Sequence, residues 1–322
     1  MLFSEFEDEF INEAGEILIG EYRNEQRYNS ALPNKDFSNK LRDCLKNLSS
    51  SKLGVVALEG DKVVGFICFY GPFDNHFGKV SGAFSPIHGH GVIGENRGKL
   101  YSLLYENAAK ILVDKGIASH AVALYQHDTE GIESFFKNGF GMRTVDSIKT
   151  LNEIIEIEVD DYTYKEIIQD DILEILTLKN RLEQHMLQSP SFYLQHQTKA
   201  EDLIQDIHNS NTRYFVVQSN GENIAFLKID DEAETFITDE EDMMNICGAY
   251  VLPEYRGMGI YNKLLIYVMN TLKEEGYLRL GVDYESINPT ANYFWPKYFK
   301  PYTCGLVRRI DERIILHSLK ST

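Results

Sequence analysis

The chain carries one series of elements twice, and this duplication limits what its 322 residues can fold into more than any other feature. Residues 55–67 have the pattern of a strand, a tight turn and a second strand, and residues 215–227 repeat that hairpin. In each half a third strand runs towards a proline, and Arg-Gly then precedes an amphipathic helix, at positions 97–98 and again at 256–257. The sequence therefore predicts two domains built on one plan.

Each half is predicted to have an α+β fold in which helices flank a mixed, mostly antiparallel sheet. The best-defined helix lies in the second half, where apolar residues recur at the spacing of one helical face: Tyr261, Leu264, Leu265, Val268, Met269 and Leu272. Helical patterning is also found at 3–29, 38–48, 170–187 and 199–209. We expect domains at 1–152 and 153–322, and a connecting strand at 151–159, where apolar and polar residues alternate.

The composition excludes several classes of protein. Acidic residues number 49 against 32 basic ones, a net charge of −17, so we expect a small-molecule partner and no nucleic acid. An apolar run of about 18 residues is missing, and the acidic start lacks an apolar segment, so we expect a cytoplasmic protein without a membrane partner. The four cysteines are scattered without CxxC spacing, which disfavours a metal site. We expect a monomer or a homodimer.

The most informative segment links a strand to the start of the long helix and runs from Val251 to Tyr261. The first amides of a helix have no acceptor within the helix, and the helix dipole adds partial positive charge there. Glycines at 257 and 259 leave room for an anion to reach these amides. A Walker A loop and a dinucleotide-binding fingerprint are both excluded by the residues present. The segment predicts a diphosphate site, the alternative being an ordinary turn with a surface arginine.

After this turn come an apolar helix, a strand and the pattern N-x-x-A-x-x-F-W-x-K at 288–297. The combination resembles the GNAT superfamily of acyl-CoA-dependent N-acyltransferases, over the second half from about residue 160 onwards. The resemblance implies that backbone amides of the turn bind the coenzyme A diphosphate, and that a neighbouring strand pairs its main chain with the pantetheine arm. The implied cofactor-binding residues are Tyr250, Val251, Arg256, Gly257, Met258, Gly259, Ile260, Tyr261, Asn288 and Trp295.

Two positions depart from the family pattern. Tyr261 replaces the small residue that usually ends the turn, so its side chain must point away from the phosphate. Trp295 stands where the family tyrosine protonates the departing thiolate, and an indole cannot serve as that acid near neutral pH. Tyr298, three residues further on, is our candidate for a substitute catalytic acid. The alternative for Tyr298 is a packed aromatic residue.

The catalytic base is less well indicated. Some family members carry a carboxylate eleven residues before the turn arginine, but that position is Asn245, which cannot take a proton. Asp283, on the strand after the long helix, is our candidate catalytic base, and Asp242 or Glu241 could act through water. A purely structural role for Asp283 is the alternative.

The first half resembles the same family more faintly. It keeps Arg97 and Gly98 but lacks the second glycine, Asp128 replaces the asparagine, and Phe135 stands at the tyrosine position. We therefore expect a degenerate copy without a working diphosphate site. The histidines of His88-Gly89-His90 are interpreted as parts of a shaped loop, and no metal is expected.

Residues 230–242 contain eight acidic side chains: Asp230, Asp231, Glu232, Glu234, Asp239, Glu240, Glu241 and Asp242. The stretch is either a solvated loop or a flap that attracts a polyamine, aminoglycoside or lysine-like substrate. Taken together, the sequence predicts an N-acetyltransferase that uses acetyl-CoA as cosubstrate and transfers the acetyl group by direct attack of a small, cationic primary amine. The alternatives are a non-catalytic acyl-CoA-binding or regulatory module, and a transferase for a longer acyl or an aminoacyl group.

Overall fold

The computed structural model describes residues 1–194, 196–209 and 211–318, and the chain forms two compact units. The first unit contains Met1–Val145 and the segment that begins at Pro301, and the second contains Asp146–Lys300. The sequence puts the boundary between 152 and 153 and assigns the whole remainder to the second domain. In the structure, the chain instead returns to the first unit after completing the second.

The first unit contains helices and strands in a mixed order. In chain order they are β1 (Leu2–Glu5), α1 (Ile11–Tyr28), α2 (Ser38–Ser49), β2 (Gly54–Glu59), β3 (Lys62–Cys68), β4 (Tyr70–Phe73), β5 (Gly82–Ser85), β6 (His90–Val92), α3 (Arg97–Asp114), β7 (Ser119–Tyr125), α4 (Thr129–Lys137) and β8 (Gly141–Thr150), the last of which runs across the division of the units. One sheet has the order β1-β2-β3-β6. In the other, β4 pairs with β5, and β5 lies parallel to β7.

The second unit has the expected helices on a mixed sheet. Its elements are β9 (Thr163–Glu166), α5 (Leu176–Leu187), α6 (Ala200–Asn209), β10 (Arg213–Ser219), β11 (Glu222–Asp230), β12 (Met243–Val251), α7 (Ile260–Glu274), β13 (Arg279–Glu285), α8 (Pro289–Phe294) and β14 (Lys300–Pro301). Its strand order is β13-β12-β11-β10-β9, and only β12 and β13 run parallel within this series. The predicted α+β class with a mostly antiparallel sheet is confirmed.

Strands β12 and β13 pair over only part of their length. Their parallel register covers Met243–Ile246 against Arg279–Val282. The last residues of β12, Ala249 to Val251, pair with β11 on one side, and no β13 partner is found for them in the part of the chain described. The main chain at this end of β12 is therefore open on the side of β13.

Helix α7 shows how the apolar pattern builds the core. Its buried residues are Ile260, Leu264, Leu265, Val268, Met269 and Leu272, so the predicted stripe is confirmed except that Tyr261 is only half-buried. The buried face packs on β10 and β11. Burial of side chains of this size stabilises the fold by about 1.5–3 kcal/mol each. The packing fixes the N-terminus of α7 at the end of β12.

The final segment adds β15 (Thr303–Arg309) and α9 (Arg313–Ser318) to the first unit. Strand β15 pairs antiparallel with β7 along seven residues, from Thr303 opposite Tyr125 to Arg309 opposite Ser119. Its other edge pairs with the first residues of β8. The first unit therefore takes one of its central strands from the end of the chain.

Two local predictions are wrong. Residues 151–159 form no strand in the structure, because the backbone of Ile155 bonds to a side chain instead: its N–H donates to Asn270 Oδ1 (2.9 Å), and Asn270 Nδ2 donates to its carbonyl (2.7 Å). The predicted helix at 3–29 begins only at Ile11, because residues 2–5 pair with β2 as strand β1.

Among the described residues, no helix is long and apolar enough to cross a membrane.

Candidate active site

The turn between β12 and α7 has the backbone geometry that its glycines predict. Gly257 and Gly259 have φ of +78° and +77°, a region that residues with a Cβ rarely adopt. A Cβ built on either glycine would meet no described atom within 4 Å, so both face open space. The glycines therefore give the turn its shape and leave its surface accessible.

The first amides of α7 are available as donors. Gly259 is the N-cap residue, and no side chain caps the helix. Within the described part of the chain, the amides of Gly259, Ile260, Tyr261 and Asn262 have no hydrogen-bond acceptor. Such a set of unpaired donors at the positive end of a helix dipole attracts an anion.

A cavity of about 320 Å³ opens beside this turn and continues along the free edge of β12. Its lining comes from α5, the end of β12, the turn, and α8 with the residues after it: Leu182, His185, Ala249, Tyr250, Val251, Tyr255, Arg256, Gly257, Gly259, Ile260, Tyr261, Asn262, Asn288, Thr290, Ala291, Phe294, Trp295, Lys297 and Tyr298. Apolar walls with a few polar groups at one end are typical of a site for a small organic ligand.

Most of the residues singled out in the sequence line this cavity, but two do not. Met258 points into solvent with 61% of its surface exposed, and Asp283 lies outside the lining. Sequence reasoning missed the contribution of α5, through Leu182 and His185. The only signal for these two residues was the helical pattern at 170–187, which does not reveal which face of that helix meets β12.

Arg256 lies at the mouth of the turn and contacts the preceding strand. Its Nε donates to the carbonyl of Val251 (3.3 Å), and its guanidinium lies 5.5 Å from the ring centroid of Tyr250. The Arg256 side chain is exposed, whereas Tyr250 is buried. Arg256 thus adds a positive charge beside the unpaired amides.

The aromatic residues at the other side of the cavity form one cluster. The ring of Tyr261 lies 5.2 Å from Phe294 and 6.1 Å from Trp295, so it packs away from the turn as the sequence requires. Its buried hydroxyl has no hydrogen-bond partner among the described residues, and burial raises the Tyr261 pKa. Trp295 is buried and packs edge-on against Phe299. Trp295 therefore acts as a wall of the cavity.

Tyr298 follows α8 and is half-buried, whereas its aromatic neighbours Trp295 and Phe299 are buried. Its ring lies 4.9 Å from that of Phe294, and its amide donates to the carbonyl of Trp295 (2.9 Å). It lines the cavity. Its hydroxyl can both donate and accept a hydrogen bond, whereas the indole at 295 can only donate one.

Asn288 begins α8 and turns its amide towards α5. Its Oδ1 accepts from the amide of Thr290 (3.1 Å), as an N-cap does, and its Nδ2 lies 3.7 Å from the sulfur of Met186. Pro289 follows at the first helical position, which suits its fixed φ. The cap holds Asn288 in the lining between α5 and α8.

Asp283 lies on β13, beyond the point where this strand leaves β12. The residue is exposed as a whole, yet many protein atoms surround its carboxyl group and reduce the hydration of that group. This desolvation, together with the nearby charges of Glu234, Asp146 and Glu285, raises the pKa of Asp283 to about 8. A carboxyl group with this pKa can exchange a proton near neutral pH.

Asn245 organises the acidic stretch instead of facing the cavity. It is buried, and its Nδ2 donates to the carbonyls of Glu232 (3.1 Å) and Thr238 (3.4 Å). Phe236, Ile237 and Thr238 are buried as well, so the stretch packs on the protein at its centre and exposes acidic side chains around it. It is therefore anchored and still presents negative charge to solvent.

Asp242 and Glu241, the other candidate bases, both precede β12 at the end opposite the cavity. Two carboxylates of the stretch are also paired. Asp242 lies 3.0 Å from Arg279. Asp230 is buried, 3.6 Å from Lys228 Nζ, and accepts from the thiol of Cys247 (2.8 Å). Asp283 is consequently the better-placed candidate for a base.

The corresponding turn of the first unit is closed. Gly65 pairs with Val92 as Ala225 pairs with Val251, so β6 corresponds to the end of β12. Four residues (93–96) join β6 to α3, whereas eight (252–259) join β12 to α7. The shorter link leaves no room for a comparable turn.

This pairing corrects the strand alignment of the two halves. The sequence matches Gly82-Ala83-Phe84 with Gly248-Ala249-Tyr250, but β5 lies parallel to β7 as the beginning of β12 lies parallel to β13. The third strand of the first unit is thus broken in two by residues 86–89.

The histidines at this break are held by protein groups. His90 Nε2 lies 2.8 Å from the carbonyl of Ala123, and its Nδ1 lies 3.4 Å from the Tyr101 hydroxyl. Burial lowers the pKa of His90 to about 4. Among the described residues, no group of three or more His, Cys, Asp or Glu side chains is arranged to hold a metal ion.

Comparison with known proteins relates part of the chain to one enzyme family. Residues 181–299 match the model of the acetyltransferase (GNAT) family. No curated protein matches the chain. A GCN5-related N-acetyltransferase from Sphaerobacter thermophilus superposes with a TM-score of 0.61 at 11% identity, over 96% of this chain and 95% of that one.

A second structure, the GCN5-related glucosamine N-acetyltransferase region of a fungal multi-domain GH3 β-N-acetylglucosaminidase, superposes with a TM-score of 0.52 at 16% identity. The match covers 95% of this chain and 38% of the fungal one. At these identities the two structures show a shared fold, and the family match rests on residues 181–299.

Proposed function

We propose, from the GNAT acetyltransferase domain that residues 181–299 form, that the protein is an acetyl-CoA-dependent N-acetyltransferase whose acceptor is a primary amine of a small cationic molecule. The active site lies in the second unit, in the cavity between α5, the end of β12 and α8. The first unit contributes no coenzyme site of its own.

The observation that carries the proposal is the set of unpaired amides at Gly259–Asn262, beside two glycines whose missing side chains leave open space. These donors fit a diphosphate, and the open main chain of Ala249–Val251 fits the amide-containing arm that extends from it. The orphaned hydroxyl of Tyr261 at the cavity wall is a further unsatisfied polar group there. Acetyl-CoA would supply an activated acetyl group at the end of that arm.

Asp283 is proposed as the base. A primary amine is an ammonium ion at neutral pH, so a proton must leave it before it can attack. The acidic side chains of residues 230–242 favour the approach of a cation, and the Asp283 carboxylate takes the proton. The amide groups of β12 that are free of β13 can hold the acetyl oxygen.

Tyr298 is proposed as the acid, because it lines the cavity and its hydroxyl can give a proton to the sulfur as the carbon–nitrogen bond forms and the carbon–sulfur bond breaks. The second proton that the nitrogen loses as it becomes an amide then restores the tyrosine. No covalent intermediate with the protein is needed. The Cys247 thiol donates to Asp230, and desolvation of the sulfur by neighbouring atoms raises its pKa, which makes it a poor nucleophile.

Trp295 at the family's tyrosine position favours a second candidate function. A buried indole cannot protonate a thiolate, so the cavity could bind an acyl-CoA without turning it over. A binding or regulatory module of this kind would have the same coenzyme-binding turn as the transferase but would not transfer the acyl group. Transfer of a longer acyl group is tested by varying the chain length of the thioester.

Calorimetry with acetyl-CoA tests the proposal, and Gly259→Asp is the diagnostic variant. An acidic side chain at this position enters the space beside the amides and repels the diphosphate, so affinity is expected to fall at least about tenfold. Gly221→Asp is the matched control, since Gly221 also has positive φ (+84°) and open space but lies in the β10–β11 turn. It is expected to bind as the native protein does.

Thiol release with a panel of primary amines then separates the two functions. Amine-dependent release supports the transferase, and binding without release for any amine supports the module. Absence of heat with acetyl-CoA in the native protein would contradict both.

A further inference from the structure

His185 is a cavity residue to which the proposed reaction gives no role. It lies in the last turn of α5, and its ring centroid is 6.3 Å from that of Tyr250. Tyr250 in turn carries the guanidinium of Arg256 at 5.5 Å from its ring centroid. The imidazole and the guanidinium therefore lie around one aromatic ring at the end of β12.

The surroundings of His185 disfavour its charged form in the free protein. Burial and the charge of Arg256 both lower its pKa below the ordinary value of 6.5. The other titratable side chains of the lining are Lys297 and the tyrosines Tyr250, Tyr255, Tyr261 and Tyr298, and no carboxylate is among the lining residues that the structure describes. Of the other elements packed on α5, β11 carries Lys228 and Asp230, which pair with each other at 3.6 Å. The 3₁₀ turn before α5 carries Asp171 and Glu174, the latter 4.0 Å from Lys165. On α5 itself, the carboxylate of Glu183 accepts from the amide of Thr198.

A bound diphosphate would reverse the charge that His185 faces. Arg256 is both the arginine of the turn and the charged group that acts on His185. Each phosphate of a diphosphate ester carries about one negative charge, so the pair outweighs one guanidinium. An imidazole within the electrostatic reach of Arg256 would then be surrounded by net negative charge.

We propose that His185 is a contact of coenzyme A bound in this cavity and that it takes up a proton when the diphosphate binds. The inference rests on the proposed coenzyme site. The chemical class that it recognises is a diphosphate ester, and the consequence is a coenzyme affinity that increases as pH falls.

The sign follows from the two states of the imidazole. In the free protein the pKa of His185 lies below 6.5. In the complex the added negative charge is expected to raise it. Protons are taken up at pH values between the two pKa values, and there the affinity strengthens by up to about tenfold for each unit of pH decrease. Above the pKa of the complex, binding no longer depends on this group.

The experiment measures proton uptake by calorimetry in buffers of different ionisation enthalpy between pH 5.5 and 8. The probe is dephospho-coenzyme A, which keeps the diphosphate but lacks the 3′-phosphate, a monoester with its own pKa of about 6. The native protein is expected to take up several tenths of a proton, and at most about one, near the acidic end.

His185→Gln removes the titrating group and keeps a polar side chain of similar reach. It is expected to bind dephospho-coenzyme A with little or no proton uptake from this site and with a flatter pH dependence. His196→Gln is the matched control, because His196 is an exposed histidine of the same unit that does not line the cavity. Other groups that exchange protons on binding, such as Asp283, remain in both variants.

Equal proton uptake by the native protein and His185→Gln would overturn the inference and leave the coenzyme site standing. Failure of the native protein to bind either coenzyme form would overturn the proposed function as well. Circular dichroism of His185→Gln confirms that a loss of binding does not come from unfolding. If this variant is misfolded, chemical-shift titration of the His185 ring in the native protein with and without the probe gives the same answer.

Discussion

Arg97 and Asp128 form a two-point ion pair, with Nε 3.2 Å from Oδ1 and Nη2 2.6 Å from Oδ2. The same guanidinium binds both oxygens of Glu21, at 2.9 and 3.0 Å. Asp128 also caps α4 by accepting from the amide of Gly131. The residues that correspond to Arg256 and Asn288 are thus bound to each other in the first unit, and an external anion would have to displace them.

The two arginines are expected to respond in opposite ways to truncation. Arg97→Ala leaves two buried carboxylates without their cation, so we expect a loss of about 3–5 kcal/mol in stability. Arg256→Ala removes an exposed side chain, so stability should change by about 0.5 kcal/mol or less, while acetyl-CoA affinity falls roughly tenfold. Chemical denaturation and calorimetry measure the two effects.

The stoichiometry of binding checks the same contrast. One acetyl-CoA per chain is expected, in the second unit only. Two sites per chain, or a loss of binding in Arg97→Ala when the second unit stays folded, would contradict the interpretation of the first unit as a closed copy.

Asp283 is expected to control the pH dependence of transfer. The pKa of its carboxyl is raised to about 8, so the deprotonated form that can act as base accumulates as pH rises through that value. We expect kcat/KM for an amine to rise with a midpoint near pH 8. Asp283→Asn should lower the rate about 10²–10⁴-fold and remove this midpoint, so that only the titration of the amine itself remains.

The same pKa shift also predicts that the stability of the protein falls as pH rises, whereas the transfer rate rises. The unfolded pKa is near 3.8 and the folded one is about 8, so the folded protein retains a proton that the unfolded chain loses between these values. Stability from this group is therefore present below about pH 4 and is lost as pH rises through 8. Asp283→Asn should melt above the native protein at pH 9, and a lower melting temperature there would argue against the shift.

Glu234 is expected to set part of the Asp283 shift, because its negative charge is the largest cause of the raised pKa after burial. Glu234→Gln should lower the pKa of Asp283 and move the midpoint of the pH–rate profile below 8. It should also raise KM for a cationic amine, by an amount that shrinks at high salt. Glu232→Gln, an exposed residue of the same stretch, is the matched control for a general change of charge. Identical profiles for both variants would exclude a specific role of Glu234.

Tyr298 is expected to contribute to the departure of the thiolate. Tyr298→Phe keeps the ring packed on Phe294 and removes only the hydroxyl, so we expect kcat to fall about 10²-fold or more with unchanged coenzyme affinity. Tyr255→Phe, at another tyrosine of the cavity lining, should leave kcat unchanged. An unaffected rate in Tyr298→Phe would mean that water protonates the thiolate.

The turn and the helix that follows could be predicted because their causes are local. Positive φ at Gly257 and Gly259 and the buried stripe from Leu264 to Leu272 depend on residue type and spacing within one segment. The hairpin of β10 and β11 is equally local, and it is found where the sequence predicts it. This end of the candidate site therefore follows from one continuous segment, residues 251–272.

The rest of the site depends on contacts between distant segments. His185 meets Tyr250 across 65 positions of sequence, and no pattern within α5 indicates that its last turn faces the end of β12. The strand predicted at 151–159 is absent for a related reason, since the amide of Asn270 supplies the bonds that another strand would have made. Alternation of apolar and polar residues indicates that the backbone favours an extended conformation. It does not indicate which group will form hydrogen bonds with that backbone.

Because β15 comes from the end of the chain, the first unit can complete its folding only when synthesis of the chain is nearly finished. β7 has its antiparallel neighbour only when residues 303–309 are present, after the whole second unit has been made. On the ribosome, the earlier half must therefore wait with one edge of β7 unpaired while the later half folds. A protein cut in two between its units would leave that edge exposed for good, so the natural fragments for separate expression are not the two halves of the sequence.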